Sequence, residues 1–581
     1  MPCLLLQKPS KSSKSKDHIK FLDRRLNLWE QGDFDELTRE SRAIQNRILS
    51  STTKKISTIK KRFSDLMFLG KVNAALKLLS NESSTGLVPI NDHIINTLQE
   101  KHPQAQPKFD DLLLEGPVVD VHPLTFHVID AELIQKMAAK TKGSSGPSQL
   151  DSSMWHRLLL SKSFGDRSND LAKAIAKMAI TMCTEKCDKE NGRDMEAFLS
   201  CTLVPLNKNP GVRPIGIGEV LRRIVGKSIT TILKKDIQDA AGNLQLCAGQ
   251  LGGCETAVHA MADIYNDVET DAVLLVDASN AFNSINRAVM IQNIKIICPH
   301  LALFVENCYR HEIRLFVIGG VELKSTEGTT QGDPIAMALY GLSLLPLTTH
   351  LKKKSARIKQ VAYADDLTGA GKINALKAWW DVLSEVGPNI GYYPKSSKSW
   401  LIVKPEYEEY ARSVFATTSI KVTVKGRKHL GALIGNAAFR KDYIEAKVAE
   451  WVKELTLLAT IACSQPQAAY VSFVVGYRQK FNYIFRTVKD LDEYLIPLEN
   501  VIRFHLIPAF CDGRQCNDTE RRLMALPTKF GGLGIINVIE EAKFQHETSL
   551  SATAELRDRV VKQCEEPVDY TSSISIIKSG I

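Results

Sequence analysis

Three aspartates have the types and spacing to do chemistry. Asp277 ends the apolar run Ala272–Val276, which fits a buried strand, and is followed by A-S-N-A-F-N. Asp365 and Asp366 sit within Val361-Ala362-Tyr363-Ala364-Asp365-Asp366-Leu367, the pattern of a tight β-hairpin with both acids at its turn. Adjacent like charges resist joint ionisation unless a cation neutralises them. Hard oxygen ligands of this kind suit Mg²⁺, which keeps waters and substrate phosphates in its octahedron. One distant and two adjacent carboxylates can clamp two ions about 3.5–4 Å apart, activating an attacking 3′-hydroxyl and steadying a leaving pyrophosphate in an in-line displacement. An Asp-Asp pair alone is more often a polar turn, and a lone strand-end Asp a cap. The conjunction predicts nucleotidyl transfer with two Mg²⁺ ions, for which Mn²⁺ can substitute.

The elements that must position these acids follow from hydrophobic periodicity. Residues 200–435 alternate short β-like runs (Ala272–Asp277, Gln360–Ala364, Lys421–Lys425) with helical stretches, which predicts an α+β body. From about Asp442 to Leu506 the pattern is helical. Upstream, the first twenty residues are Lys- and Ser-rich and read as disordered. Phe21 to about Leu79 reads as two or three amphipathic basic helices, and Ser83–Pro107 as a linker. Helices are predicted over Asp130–Lys142, with Asp130 as N-cap, and Leu171–Cys187, separated by the Gly/Ser/Pro cluster Gly143–Pro147. Ile335–Leu345 reads as an apolar helix with Pro334 in its first turn. No repeat of solenoid period is present.

Composition sets the outer bounds. A chain of 581 residues, 44% hydrophobic and 24% charged, is long enough for three or four folded units. The net charge is +10, and residues 1–63 hold fifteen Lys/Arg against seven Asp/Glu, which points to a polyanionic partner. The twelve cysteines are scattered, and the closest pair, Cys183 and Cys187, lacks a second pair at zinc-site spacing. Without a hydrophobic signal segment the thiols read as reduced and the protein as intracellular, in nucleus and/or cytoplasm. The longest apolar candidate, Ala338–Leu347, falls short of the ~18 residues that a membrane span needs, so no membrane role is expected.

In chain order, V-D-A-S-N-A-F-N at 276–283, T-T-Q-G-D-P at 329–334 and Y-A-D-D at 363–366 resemble the central motifs of reverse transcriptases. The flanks are similar to those of non-LTR (LINE-like) retroelement enzymes: V-P-L-N-K-N-P-G-V-R-P-I-G-I (204–217), G-Y-Y-P-K-S-S-K-S (391–399), H-L-G-A-L-I-G (429–435) as a primer-grip turn, and L-P-T-K-F-G-G-L-G-I (526–535). The resemblance implies a right-hand polymerase of fingers, palm and helical thumb behind a basic helical extension. Its units would be 1–115 (extension with disordered start), 116–435 (fingers and palm), 436–545 (thumb) and 546–581 (C-terminal tail). It further implies an RNA template, a DNA primer and product, and deoxynucleoside triphosphates as partners. Residues 1–115 look too short for an endonuclease, and no ribonuclease H carboxylate set is visible after residue 440.

Roles then follow residue by residue from the resemblance. Asp277, Asp365 and Asp366 match metal ligands, with the Ala278 carbonyl as a backbone ligand. Phe282 falls where an aromatic ring would exclude a ribose 2′-hydroxyl, a steric rejection that selects deoxynucleotides and argues against RNA synthesis. Gln331 and Gly332 match a loop against nucleotide and template, and Lys208 and Arg213 a triphosphate grip. Lys398 matches a general acid for the departing pyrophosphate. Here Gly391–Ser399 departs from the usual G-x-x-x-N-x-x-K-T form in carrying Lys395 and Ser399. Two rival readings stand: an RNA-dependent RNA polymerase or an intron maturase sharing the palm, against the former of which Phe282 speaks, and a decayed or domesticated non-catalytic RNA-binding copy, against which the intact acids speak. His259, His311 and His429 read as structural histidines, and Trp379-Trp380 as core.

Overall fold

The computed structural model describes residues 14–50, 59–80, 86–188, 190, 194–208 and 211–564. Most of the opening expected to be disordered, residues 1–13, lies outside these, but from Ser15 the chain is already helical. Among the described residues the basic stretch holds four helices rather than two or three: Ser15–Glu30, Phe34–Ser50, Ile59–Phe68 and Val72–Leu79. The last two are amphipathic, and their buried Phe63, Ala75 and Leu79 join a core with Ile444, Leu458, Phe473 and Tyr477. Close approach is possible because Gly476 presents no side chain to Val72 and Leu76.

Part of the stretch read as a linker, Ser83–Pro107, is ordered. Asn91 caps a helix at Asp92–Glu100 by accepting from the Ile94 N–H at 2.9 Å, and Ile94 and Leu98 are buried. The chain then runs as a strap fastened by distant asparagines. Asn280 Nδ2 donates to the Lys101 carbonyl (2.8 Å), Asn286 Nδ2 to the Pro107 carbonyl (2.8 Å), and Asn293 Nδ2 to the Leu112 carbonyl (2.9 Å). Further on, Asp130 caps its helix as expected, accepting from the Leu133 N–H at 2.8 Å; the helix spans Ala131–Lys140. The second expected helix begins earlier than its pattern, at Asp166–Thr184, and the helix Ser152–Leu160 lies between the two.

Eleven strands occur among the described residues, in chain order β1 (Cys201–Asn207), β2 (Val212–Gly218), β3 (Ala272–Val276), β4 (Ile313–Val317), β5 (Glu322–Ser325), β6 (Lys359–Tyr363), β7 (Asp366–Gly371), β8 (Trp400–Val403), β9 (Lys421–Thr423), β10 (Gly426–His429) and β11 (Ala432–Gly435). One sheet has the order β2-β1-β4-β5, and β10 and β11 form a hairpin. The larger sheet runs β6-β7-β3-β8-β9, antiparallel except for the parallel β8–β9 pair. Its inner strand β3 carries Ala272, Val273 and Leu274, all fully buried, so the uninterrupted apolar run read from the sequence reflects burial on both faces. The α+β expectation holds, with helices in the majority. Trp379 and Trp380 lie in the core, and the indole N–H of Trp379 donates to Gln360 Oε1 at 3.2 Å.

Helices dominate from Ala437 onward, and the last runs unbroken over Val538–Lys562. Residues 546–562, expected as part of a tail, are therefore packed structure, while 565–581 lie outside the described residues. Ser549, Thr553, Leu556 and Val560 are buried, and Leu556 and Val560 share a core with Leu246, Ala257, Val273 and Val361. At the helix end the Gln563 amide pairs with the edge strand β6, accepting from the Gln360 N–H (3.1 Å) and donating to the Gln360 carbonyl (3.0 Å). Leu556→Ala should cost about 2–5 kcal/mol and lower the midpoint of thermal unfolding. An unshifted midpoint in scanning calorimetry would show that this helix is dispensable to the sheet.

Candidate active site

Strand register brings the three aspartates together. Val276 on β3 pairs with Leu367 on β7, so the next position on β3, Asp277, continues opposite Asp366. Tyr363 pairs with Asp366 across β6 and β7, which leaves Ala364 and Asp365 as a two-residue turn. Asp366 thus opens β7 rather than occupying the turn. Ala364 takes φ +54°, a left-handed conformation that costs an L-residue with a Cβ about 1–2 kcal/mol. Gln245 holds it there: its Oε1 accepts from the Ala364 N–H (2.8 Å), its Nε2 donates to the Ala364 carbonyl (3.2 Å), and its side chain is fully buried.

The segment Gly391–Ser399 clamps the other side. Ser279 N–H donates to the Tyr393 carbonyl (2.9 Å) and Lys395 N–H to the Asp277 carbonyl (2.8 Å), around a bridge between Ala278 and Pro394. In this antiparallel pattern the Ala278 carbonyl points away from the 393–395 segment. Buried Ser399 accepts from the Asp277 N–H (3.2 Å) and donates to the Lys395 carbonyl (2.9 Å), so one of the two departures noted in this segment has a bonding role. Tyr392 O–H donates to the Asp365 carbonyl at 3.0 Å. Gly391, at φ +83°, leaves no room for a Cβ beside the Ser284 carbonyl.

Burial raises the Asp366 carboxyl to about 6, helped by the negative charges of Asp365 and Asp277 and opposed by Lys208. Asp365 is raised too, chiefly by burial, with Asp277 adding to the shift and Lys208 and Arg213 opposing it. Asp366 nonetheless keeps access to solvent on one side. Three acids in mutual repulsion with oxygen-only donors are a set that a divalent hard cation would relieve. Among the described residues no three His, Cys, Asp or Glu side chains close into a cage by themselves.

The other expected residues surround this cleft. Lys208 and Arg213 are exposed on the β1–β2 hairpin, near enough for their charge to act on Asp365. The Gln331 carbonyl accepts from the Gly216 N–H at 3.0 Å, tying the 329–334 loop to β2. Gly332, at φ +112°, lies so close that a Cβ would sit 2.5 Å from the Gly216 carbonyl oxygen. Asp333 anchors the loop from below. Its Oδ2 meets buried Arg222 at 2.5 Å and accepts from the Tyr309 O–H at 3.0 Å. The helix expected from Ile335 starts at Ala336 and breaks at Leu344 before a second at Leu345–Lys354, because Pro346 has no N–H to continue it. Phe282 stacks on buried Tyr340, ring centroids 4.5 Å apart. Lys398 is exposed on the short turn Ser396–Lys398.

Sequence reasoning missed Gln245, Tyr392 and Asn280. None has a periodic or motif signal of its own, although Tyr392 and Asn280 fall inside motifs that were recognised. Of the three histidines read as structural, His259 and His429 are buried and His311 is exposed. His429 is buried, held down to about 4 by desolvation, and shares a hydrogen bond with Thr368 Oγ1 (3.3 Å); His259 bonds Ser549 Oγ (3.0 Å). The turn Leu430-Gly431 has φ values of +49° and +84°, and Tyr443 O–H donates to the Gly431 carbonyl at 3.0 Å.

Residues 206–424 match the family described as reverse transcriptase (RNA-dependent DNA polymerase). No curated protein matches the chain. The matched span holds all three aspartates, Lys208, Arg213, Phe282, Gln331, Gly332 and Lys398. The matched domain is that of a nucleotidyltransferase, an enzyme that polymerises DNA on an RNA template.

Burial of Asp366 beside two like charges has a measurable consequence. Asp366 titrates near 6 in the folded, metal-free chain and at about 3.9 when unfolded. Stability held while the group is protonated is therefore lost as pH rises through that interval. In chelator at pH 7.5, Asp366→Asn should melt higher than the native chain, and the gap should shrink as pH falls from 6 towards 4. A gap that is constant with pH in differential scanning fluorimetry would refute the raised Asp366 carboxyl.

Proposed function

We propose that the chain is an RNA-directed DNA polymerase of a non-LTR retroelement, adding deoxynucleotides to a primer 3′-hydroxyl by two-metal nucleotidyl transfer. The observation that carries this reading is the convergence, at one edge of a single sheet and inside the matched span, of Asp277, Asp365 and Asp366. On this reading β1–β2 and the helices around it are fingers, the larger sheet is palm, and the helices from residue 436 are thumb. The helical N-terminal region, with its excess of Lys and Arg, would follow template RNA.

Asp277, Asp365, Asp366 and the Ala278 carbonyl would hold two Mg²⁺ ions. When bound, these would acidify the 3′-hydroxyl and offset charge on the phosphoryl group in flight. The chain's own residues do the rest. Gln245, Tyr392 and Ser399 fix the main chain of the acids, so that little reorganisation is needed as charge develops. Lys208 and Arg213 grip the triphosphate, Gln331 and Gly332 bring main chain against the base pair being formed, and Lys398 gives a proton to the departing pyrophosphate. Phe282, held flat by Tyr340, blocks the 2′ position.

Primer extension on poly(rA)/oligo(dT) with Mg²⁺ or Mn²⁺ tests the reading directly. Asp365→Asn should lower the rate by at least ~100-fold while leaving RNA binding intact. A native chain that retains RNA and adds no nucleotide would replace this function with a binding one. Phe282→Ala should improve ribonucleotide incorporation relative to deoxynucleotide by about 10–200-fold. Unchanged discrimination in single-nucleotide extension would remove Phe282 as the gate.

A further inference from the structure

Lys101 follows the helix Asp92–Glu100, where a cation is favourable simply because helix carbonyls converge there. Its surroundings point to more than a cap. The Lys101 carbonyl is held at 2.8 Å by Asn280, which lies three residues after Asp277 and takes φ +52°. The Lys101 N–H is spent on the Thr97 carbonyl (3.2 Å), so its main chain is fixed from both sides. The side chain is half-buried, and among the described residues no carboxylate pairs with its ammonium.

What surrounds that ammonium is positive. Burial lowers its pKa most, followed by the charges of Lys208, Lys398 and Lys395, against which Glu100 is a weak opposing influence. Lys208 in turn acts on both Asp365 and Asp366. Three segments far apart in sequence, the end of the Asp92–Glu100 helix, the β1–β2 hairpin and the 395–398 turn, thus bring four ammonium groups into one another's field, and the first and third of these segments are fastened to residues 277–280 by hydrogen bonds from Asn280 to the Lys101 carbonyl and from the Lys395 N–H to the Asp277 carbonyl, 2.8 Å each. Such a cluster repels itself until a multiply charged anion enters it.

We infer that Lys101 is a nucleotide-binding residue, gripping the triphosphate of the incoming deoxynucleotide together with Lys208 and Lys398. The inference rests on the polymerase reading and extends it beyond the matched span, to a residue on the strap that precedes it. A triphosphate fits better than a template phosphate because Lys101 and the 395–398 turn are hydrogen-bonded to the segment 277–280, which carries an acid at which the α-phosphate must react. Removing the charge should weaken the hold on the nucleotide before chemistry.

The test is steady-state primer extension by the full chain carrying Lys101→Ala, Lys101→Gln or Lys101→Arg. Template–primer affinity is measured by anisotropy, and the thermal midpoint is recorded for each variant. The loss of one charge-assisted contact should raise the KM for dTTP by at least about tenfold in the Ala and Gln variants, with kcat and template–primer affinity near native and Lys101→Arg recovering most of the loss. A lowered midpoint with KM unmoved would leave Lys101 as a helix cap only. A fall in template–primer affinity with KM unmoved would make it a template contact. Either result overturns the inference while native activity upholds the polymerase reading, whereas a native chain that extends no primer defeats both. The Gln variant, which keeps the side-chain stem, separates charge from packing should the Ala variant fold poorly.

Discussion

Three carboxylates held within each other's field, in surroundings that raise Asp365 and Asp366, set the problem that the rest of the structure solves. Left to themselves they would separate or take up protons. The clamps grip main chain: Gln245 on the Ala364 peptide, Tyr392 on the Asp365 carbonyl, Ser399 on the Asp277 N–H and Lys395 on the Asp277 carbonyl. Among the described residues no side-chain hydrogen bond ends on the carboxylate oxygens of the three. Position is therefore fixed through the main chain, and Asp365 takes a hydrogen bond from its own backbone N–H. The strain at Ala364 persists because a buried amide satisfies both of its polar groups.

The same economy operates beneath the 329–334 loop. Asp333, Arg222 and Tyr309 form a buried set, and Arg287 also lies over the Tyr309 ring, 5.4 Å from its centroid. Arg287 also binds the Gly328 and Ser325 carbonyls at 2.8 Å each, so the approach to the loop is held by one guanidinium and its far side by another. Buried ion pairs of this sort contribute little net stability against an apolar replacement. Their effect here is geometric: they fix where Gln331 and Gly332 sit relative to β2.

How much of this was legible depended on whether the signal was periodic. The strand before Asp277 and the hairpin before Asp366 could be read because burial on both faces and a two-residue turn leave local patterns. Gln245 could not, since its partner lies 119 residues away and a lone Gln has no period. Residues 83–107 read as a linker because their composition is polar and Pro-containing; the asparagines that make part of the stretch structure belong to other segments. The helix over residues 546–562 was missed for a related reason. Much of its buried face is Ser549 and Thr553, small hydroxyl residues that register as polar in sequence but bond within the helix or to His259 and Glu255.

That helix also closes an argument about the sheet. β6 is an edge strand, and an edge next to a strained turn is free to slip in register, which would turn every side chain of β6 to the wrong face. Two unrelated side chains prevent this at its two ends. Gln563 pairs with both polar groups of Gln360 at the start of β6, and Gln245 does the same for Ala364 just past its end. Between them the Leu246 N–H takes the Ala362 carbonyl at 2.9 Å. The edge is thus completed by glutamine amides and one backbone bond instead of another strand. The turn carrying Asp365 stays in register with Asp277 because segments far upstream and far downstream of it in the sequence hold the strand that feeds it.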